Sequence, residues 1–275
     1  MDLLFWAPVM CAGLVAGAST GLLGSYIVGM RIPFLGICVA HAALAGAVFG
    51  ALWGFTGPAL LVPALAAASL AAILIGIVDP QAVRMDINVV LGILFSLMMG
   101  LAFLGLGLFS VYGVSDNEVR TLLWGSLTFC RWRDVWMMVA AAGVEACFVL
   151  LFYKEMRAIL FSRIHAAAVG IHVTFVWTLF LLLASLVLTV NFQTVGGLMI
   201  YSLLSNPAVA ASQLVRGYGK MLAVSTLLGM VSGLGGFLLS AATDLPTGAM
   251  IVILSSLLVG LAAAWARFTG HRPRG

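Results

Sequence analysis

Residues 88–111, NVVLGILFSLMMGLAFLGLGLFSV, run for twenty-four positions without a charged side chain. A helix rises about 1.5 Å per residue, so this stretch is long enough to cross the ~30 Å hydrocarbon layer of a bilayer. The pattern recurs along the whole chain. Of 275 residues, 63% are hydrophobic and only 8% are charged, against ~45–50% and ~25% in an ordinary soluble domain. The charges fall in short clusters between apolar stretches of roughly twenty residues. Windowing by hydrophobicity predicts nine helices, at residues 4–28, 34–56, 59–78, 88–111, 135–153, 172–190, 194–215, 221–241 and 247–266. The fold class is therefore all-α, a polytopic helical bundle in a membrane.

Orientation follows from the basic residues. With the N-terminus outside, Arg31, Arg84, Lys154, Arg157, Arg163, Arg216, Lys220, Arg267, Arg272 and Arg274 fall inside, and only Arg120, Arg131 and Arg133 fall outside. Basic residues accumulate on the cytoplasmic side, so the N-terminus is expected outside and the C-terminus inside. The same rule accounts for the +4 net charge and removes the case for a nucleic-acid partner. The start Met1-Asp2-Leu3-Leu4 lacks the positive region of a secretory signal peptide, and the first apolar stretch is expected to be retained as a span. Cys11, Cys38, Cys130 and Cys147 sit in apolar surroundings without a disulfide or zinc-finger spacing.

Small residues recur at helical spacing: Gly13, Gly17 and Gly21; Gly46, Gly50 and Gly54; Gly229 and Gly233. Such rows let two backbones approach where lipid is as apolar as leucine. Asn206-Pro207 is expected to interrupt the seventh span, because proline removes a backbone donor. Pro33 and Pro246 fit the first turn of a helix. Leu122–Phe129 is too short to span and reads as a short helix at the outer interface or a re-entrant piece. No linker divides the chain, so residues 1–275 are read as a single transmembrane domain.

Several functions are excluded by what is missing. There is no Gly-x-x-x-x-Gly-Lys-[Ser/Thr] phosphate loop, no Gly-x-Ser-x-Gly elbow and no His-Glu-x-x-His helix. An enzyme in its own right is not expected. Among acids, only Glu145 is clearly inside a predicted span, where an ionisable group is costly. It is either a hydrogen-bonded packing group or a cation or proton site of a secondary carrier. His41, alone among Ala and Val, is either a hydrogen bonder in helix packing or a ligand. Cys38, three residues earlier on the same helix face, is either a small core residue or a second ligand. The longest inside loop, residues 154–170 (KEMRAILFSRIHAAAVG), is basic at first, then small, and ends in Gly170. It serves topology alone, or its small residues accept the close approach of a partner. Asp116, Glu118, Arg120, Arg131 and Arg133 mark the longest outside loop, a solvated connection or a dock for another protein.

Four segments in order resemble a known family. Residues 24–36, GSYIVGMRIPFLG, followed by 41–46, HAALAG, look like the second-span signature of the metal-type ABC transporter permeases, the membrane subunits for zinc, manganese and iron uptake. Residues 123–127 (LWGSL), 195–199 (VGGLM) running on to Asn206-Pro207-Ala208, and 244–249 (DLPTGA) are similar to later motifs of that family. The resemblance covers residues ~20–255 and implies alternating access at a permease dimer interface in a bacterial inner membrane. The implied partners are an ABC ATP-binding subunit, a second permease copy or paralogue, an extracytoplasmic metal-binding protein and the membrane lipid. No cofactor is implied beyond the transported divalent ion and the ATP on the partner.

The resemblance also implies roles for particular residues. Ser162, Ala166, Ala167, Ala168 and Gly170 match the helix that docks on the ATPase, and His41 matches the pathway histidine. Asn206, Pro207, Asp244 and Pro246 belong to the later motifs. The family often carries an acid one turn before the histidine, and Ile37 stands there instead. Cys38 or Glu145 is the substitute to be tested. Thiolate with imidazole suits zinc, whereas manganese prefers carboxylate oxygen. A permease for metal chelates, of the siderophore or cobalamin type, is the alternative within the class. An ion-coupled carrier is the alternative outside it.

Overall fold

The structure is a computed structural model describing residues 3–77, 85–113, 127 and 130–269. The described residues contain helices and no strand. In chain order they are α1 (Leu3–Gly29), α2 (Phe34–Leu52), a 3-10 turn (Gly57–Leu60), α3 (Leu61–Ile77), α4 (Ile87–Tyr112) and α5 (Trp132–Leu151). Then come α6 (Tyr153–Phe161), α7 (Arg163–Ala168), α8 (Val173–Val195), α9 (Gly197–Leu214), α10 (Tyr218–Thr243) and α11 (Thr247–Phe268). Eight of the described helices are long and apolar enough to cross a membrane. The ninth expected span is α9, a helix of 18 residues whose serines, Asn206 and Gln213 dilute its hydropathy.

The long helices sit within a few residues of the predicted spans, and the misses have local causes. The second span stops at Leu52 rather than at residue 56, because the chain turns at Gly54 with φ +86°. The sixth runs on to Val195 although Asn191 and Gln193 lower its hydropathy. Asn191 and Thr194 are buried there, and the helix ends only at Gly196, φ +94°. The helix expected at Leu122–Phe129 lies outside the described residues apart from Leu127, as do Ser115, Asp116, Glu118 and Arg120.

The chain divides into two compact units. The first comprises residues 1–31, 125–142 and 194–275, and so holds α1, the start of α5, α9, α10 and α11. Its centre is the pair α1 and α10. A Cβ on Gly17 would run into the Gly229 carbonyl, and one on Gly233 into the Gly13 carbonyl. Ser225 closes the row by donating its hydroxyl to the Gly21 carbonyl. The register, 13 on 233 and 17 on 229, makes the two helices antiparallel. Gly236 of α10 meets Ile251 of α11. Met199 meets Gly248 and Asn206 meets Ser255, so α9 runs parallel to α11 and antiparallel to α10.

The second unit comprises residues 32–124 and 143–193. Gly46 and Gly50 of α2 face Pro63 of α3, while Gly54 packs against nothing. Val48 fills the notch at Gly105 of α4, and the α2–α4 register is parallel. Ser69 pairs with Ser185 at 3.4 Å and Gly76 lies on Thr178, which sets α3 antiparallel to α8. In both units these directions are those of consecutive crossings. On α4, Gly92, Gly100 and Gly107 have open space where a side chain would stand.

Candidate functional site

His41 lies in the middle of α2, half-buried, with its ring edge-on to Phe95 at 4.9 Å and 85°. Its Nδ1 is 2.9 Å from the Ile37 carbonyl. A carbonyl only accepts, so Nδ1 carries the proton and Nε2 keeps its lone pair. Holding one ring nitrogen on the backbone is how a protein orients imidazole as a ligand. The position where the family's acid was expected therefore touches the ring through its main chain. Cys38 is 0% exposed, closed within the core of the second unit.

Glu145 is 1% exposed. Neither carboxyl oxygen has a hydrogen-bond partner among the described residues. It belongs to the buried face of α5, with Val135, Met138, Ala141 and Phe148, at the three-to-four-residue spacing of one helical stripe. No group of three or more His, Cys, Asp and Glu side chains comes together among the described residues in a way that could hold a metal. His41, Cys38 and Glu145 thus do not make a closed ligand set.

The segment 154–170 folds as two short helices. Ser162 separates them in extended conformation and caps α7, accepting from the His165 N–H at 3.3 Å and pairing with His165 Nδ1 at 3.0 Å. Ala166 is buried, while Ala167 and Ala168 are exposed. Gly170 takes φ +88° and donates its N–H to the Ala167 carbonyl at 3.0 Å, and the Ile171 N–H reaches the Ala166 carbonyl at 3.1 Å. Around this turn Phe161 (84%), Ile164 and Val169 stand exposed. An open groove lined by Ala167, Ile171, His172 and Phe175 runs beside them.

Of the later motif residues, Asn206-Pro207 departs from expectation and Asp244–Pro246 lies between two helices, as the predicted spans had it. Asn206-Pro207 is not an interruption, since α9 is helical throughout and Pro207 is buried within it. Asn206 is instead a clamp, donating from Nδ2 to Ser255 Oγ at 3.0 Å and Ser256 Oγ at 3.1 Å on α11. The break falls at Asp244–Pro246. Asp244 ends α10 with φ +54° and Pro246 precedes the first turn of α11. Ser240 secures that corner, donating to the Leu245 carbonyl at 2.6 Å and pairing with Thr247 Oγ1 at 2.9 Å.

One contact went unforeseen. The Arg163 guanidinium lies 4.3 Å from the centre of the Trp177 ring, bridging α7 and α8. A basic residue in the loop and a tryptophan one turn into the next span were the available signal, but the turn at Gly170 that brings them together is a matter of backbone geometry.

Residues 2–266 match the ABC 3 transport family. The manganese transport system membrane protein MntC of Listeria monocytogenes is 28% identical over 97% of this chain and 92% of its own length. The chelated iron transport system membrane protein YfeD of Yersinia pestis is 29% identical over 92% of this chain and 82% of its own. Among solved structures, PsaBC from Streptococcus pneumoniae in complex with Fab superposes with a TM-score of 0.80 at 21% identity, covering 96% of this chain and 95% of that one.

Proposed function

We propose that this chain, which belongs to the ABC 3 transport family, is the membrane permease through which an ATP-driven importer moves a divalent first-row transition metal. The observation that carries the reading is His41. It is a half-buried imidazole mid-span, with Nδ1 held by the Ile37 carbonyl and Nε2 left for a ligand. A transport site binds transiently, so one fixed imidazole with exchangeable partners suits it better than a four-ligand cage. The zinc preference rested on the Cys38 thiol. With Cys38 enclosed in the core, imidazole chemistry favours no one metal, and the similarity to manganese and chelated-iron transport proteins brings both ions to the cargo class.

The rest of the reading follows from the same family. The whole chain acts as one permease domain, paired with a second copy or paralogue, and receives its ion from an extracytoplasmic binding protein. A separate ATP-binding subunit docks on the 154–170 segment, where exposed Phe161, Ile164 and Val169 ring the α7 corner. The positive-inside rule, applied to the basic ends of α1, α6, α9 and α11, supports a cytoplasmic corner and C-terminus with the N-terminus outside. The membrane is the bacterial inner membrane.

The test is uptake of radioactive manganese and zinc by proteoliposomes carrying the full complex. His41→Ala is expected to abolish uptake of the transported ion while expression and assembly with the ATPase stay intact. Wild-type uptake by that variant would make His41 a packing residue.

A further inference from the structure

We propose that Arg163, Trp177, Phe180 and Phe148 form a ring-to-ring linkage that carries the movement of α7 to the α5 face holding Glu145. Arg163 and Trp177 are then positioning residues for transport, and the inference rests on the permease reading above. A helix of six residues such as α7 does not hold its own orientation. Here two contacts tie it to α8. The Gly170 turn joins it to α8 through main-chain hydrogen bonds. On the other side, Arg163 folds back across that turn onto the Trp177 ring.

From there the contacts continue inward. Trp177 is 2% exposed and stacks on Phe180 at 5.6 Å and 24°. Phe180 meets Phe148 of α5 at 6.3 Å. Phe148 lies three residues after Glu145 on the same buried stripe, and its ring meets that of Phe152 at 4.9 Å, tilted by 30°. Close-packed side chains pass strain rather than absorb it. A partner that rotates α7 must therefore either break the Arg163–Trp177 contact or drag the stack with it. The planar guanidinium is specific to that task, since lysine offers a point charge and no stacking face.

Coupling evidence is what separates a linkage from mere packing. The experiment compares ATP hydrolysis and manganese or zinc uptake on the same proteoliposomes of the full complex. Trp177→Leu, outside the 154–170 segment, is expected to copurify with the ATPase and to hydrolyse ATP near the wild-type rate; Arg163 lies within the docking segment, so Arg163→Gln is read only as metal moved per ATP hydrolysed by the complex that assembles. Metal moved per ATP should fall by about fivefold or more, the lower end of couplings between separated sites. Trp177→Phe keeps a ring face and should recover most of the ratio, and Arg163→Lys only part of it. Arg163 is exposed, so Arg163→Gln folds and decides the matter even if Trp177→Leu does not assemble. An unchanged ratio in Arg163→Gln overturns the linkage, and so does a parallel loss of hydrolysis and uptake. A wild-type complex that hydrolyses ATP and moves no metal refutes the permease reading instead.

Discussion

Glu145 is the side chain hardest to justify by stability alone. Both oxygens are buried and without a hydrogen-bond partner among the described residues, and a buried polar group left without a hydrogen bond costs about 1–3 kcal/mol by protein measurements. Glu145→Leu is therefore expected to stabilise the detergent-solubilised chain by about that amount while metal uptake by the reconstituted complex falls sharply. Thermal unfolding and uptake on the same preparation check it, and a stabilised variant with normal uptake would reduce Glu145 to a packing residue. Cys38→Ala should leave uptake unchanged, because the thiol is enclosed. At this scale the sequence showed which residues are chemically unusual, His41, Cys38 and Glu145 among them. It did not show how each is used. The Ile37 carbonyl that orients His41 belongs to the main chain, and Asn206 clamps onto serines 49 and 50 positions away.

Among the helices, glycine has two opposite meanings. Between α1 and α10 it is contact, since a Cβ at Gly17 meets backbone that cannot yield. At Gly100 of α4 it is vacancy, since a side chain there would meet open space among the described residues. Gly17→Ala is expected to destabilise the chain by about 1–3 kcal/mol through overpacking. Gly100→Ala should stabilise it by up to about 1 kcal/mol through helix propensity. Unfolding midpoints in detergent test the pair, and equal shifts would remove the α1–α10 seam from the account. The spacing alone showed the rows but not their partners. Gly13, Gly17, Gly46 and Gly50 do pack as the rows suggest, whereas Gly54 proved to be a turn. Proline misled in the same way. Pro207 was expected to break its helix and does not, while the break at Asp244–Pro246 falls where the predicted eighth and ninth spans left a gap.

For the molecule as a whole, topology is the claim on which the transport direction depends. Thr56→Cys is expected to react with an impermeant thiol reagent on intact cells, and Val169→Cys only after the membrane is opened; the reverse result inverts the orientation. The native thiols need not be removed. Cys11, Cys38 and Cys147 lie within long helices. The Cys130 thiol is pushed up to about 12 by burial, with Asp134 and Cys11 nearby, so its reactive thiolate is scarce near neutral pH. The spans, eight apolar enough to cross a membrane among the described residues and α9 beside them, were legible because hydropathy is additive along a chain; the division into two compact units was not, because it depends on which spans choose each other. The Asn206 clamp carries that dependence into the order of synthesis. The α9 helix is the most polar of the nine, and the hydroxyls that satisfy Asn206 lie on α11. Asn206 is made 49 residues before Ser255, which at about 5–20 residues per second is a wait of about 2–10 s. During that interval an amide stands in the bilayer without its final partners, so α9 is integrated only provisionally until the last helix arrives.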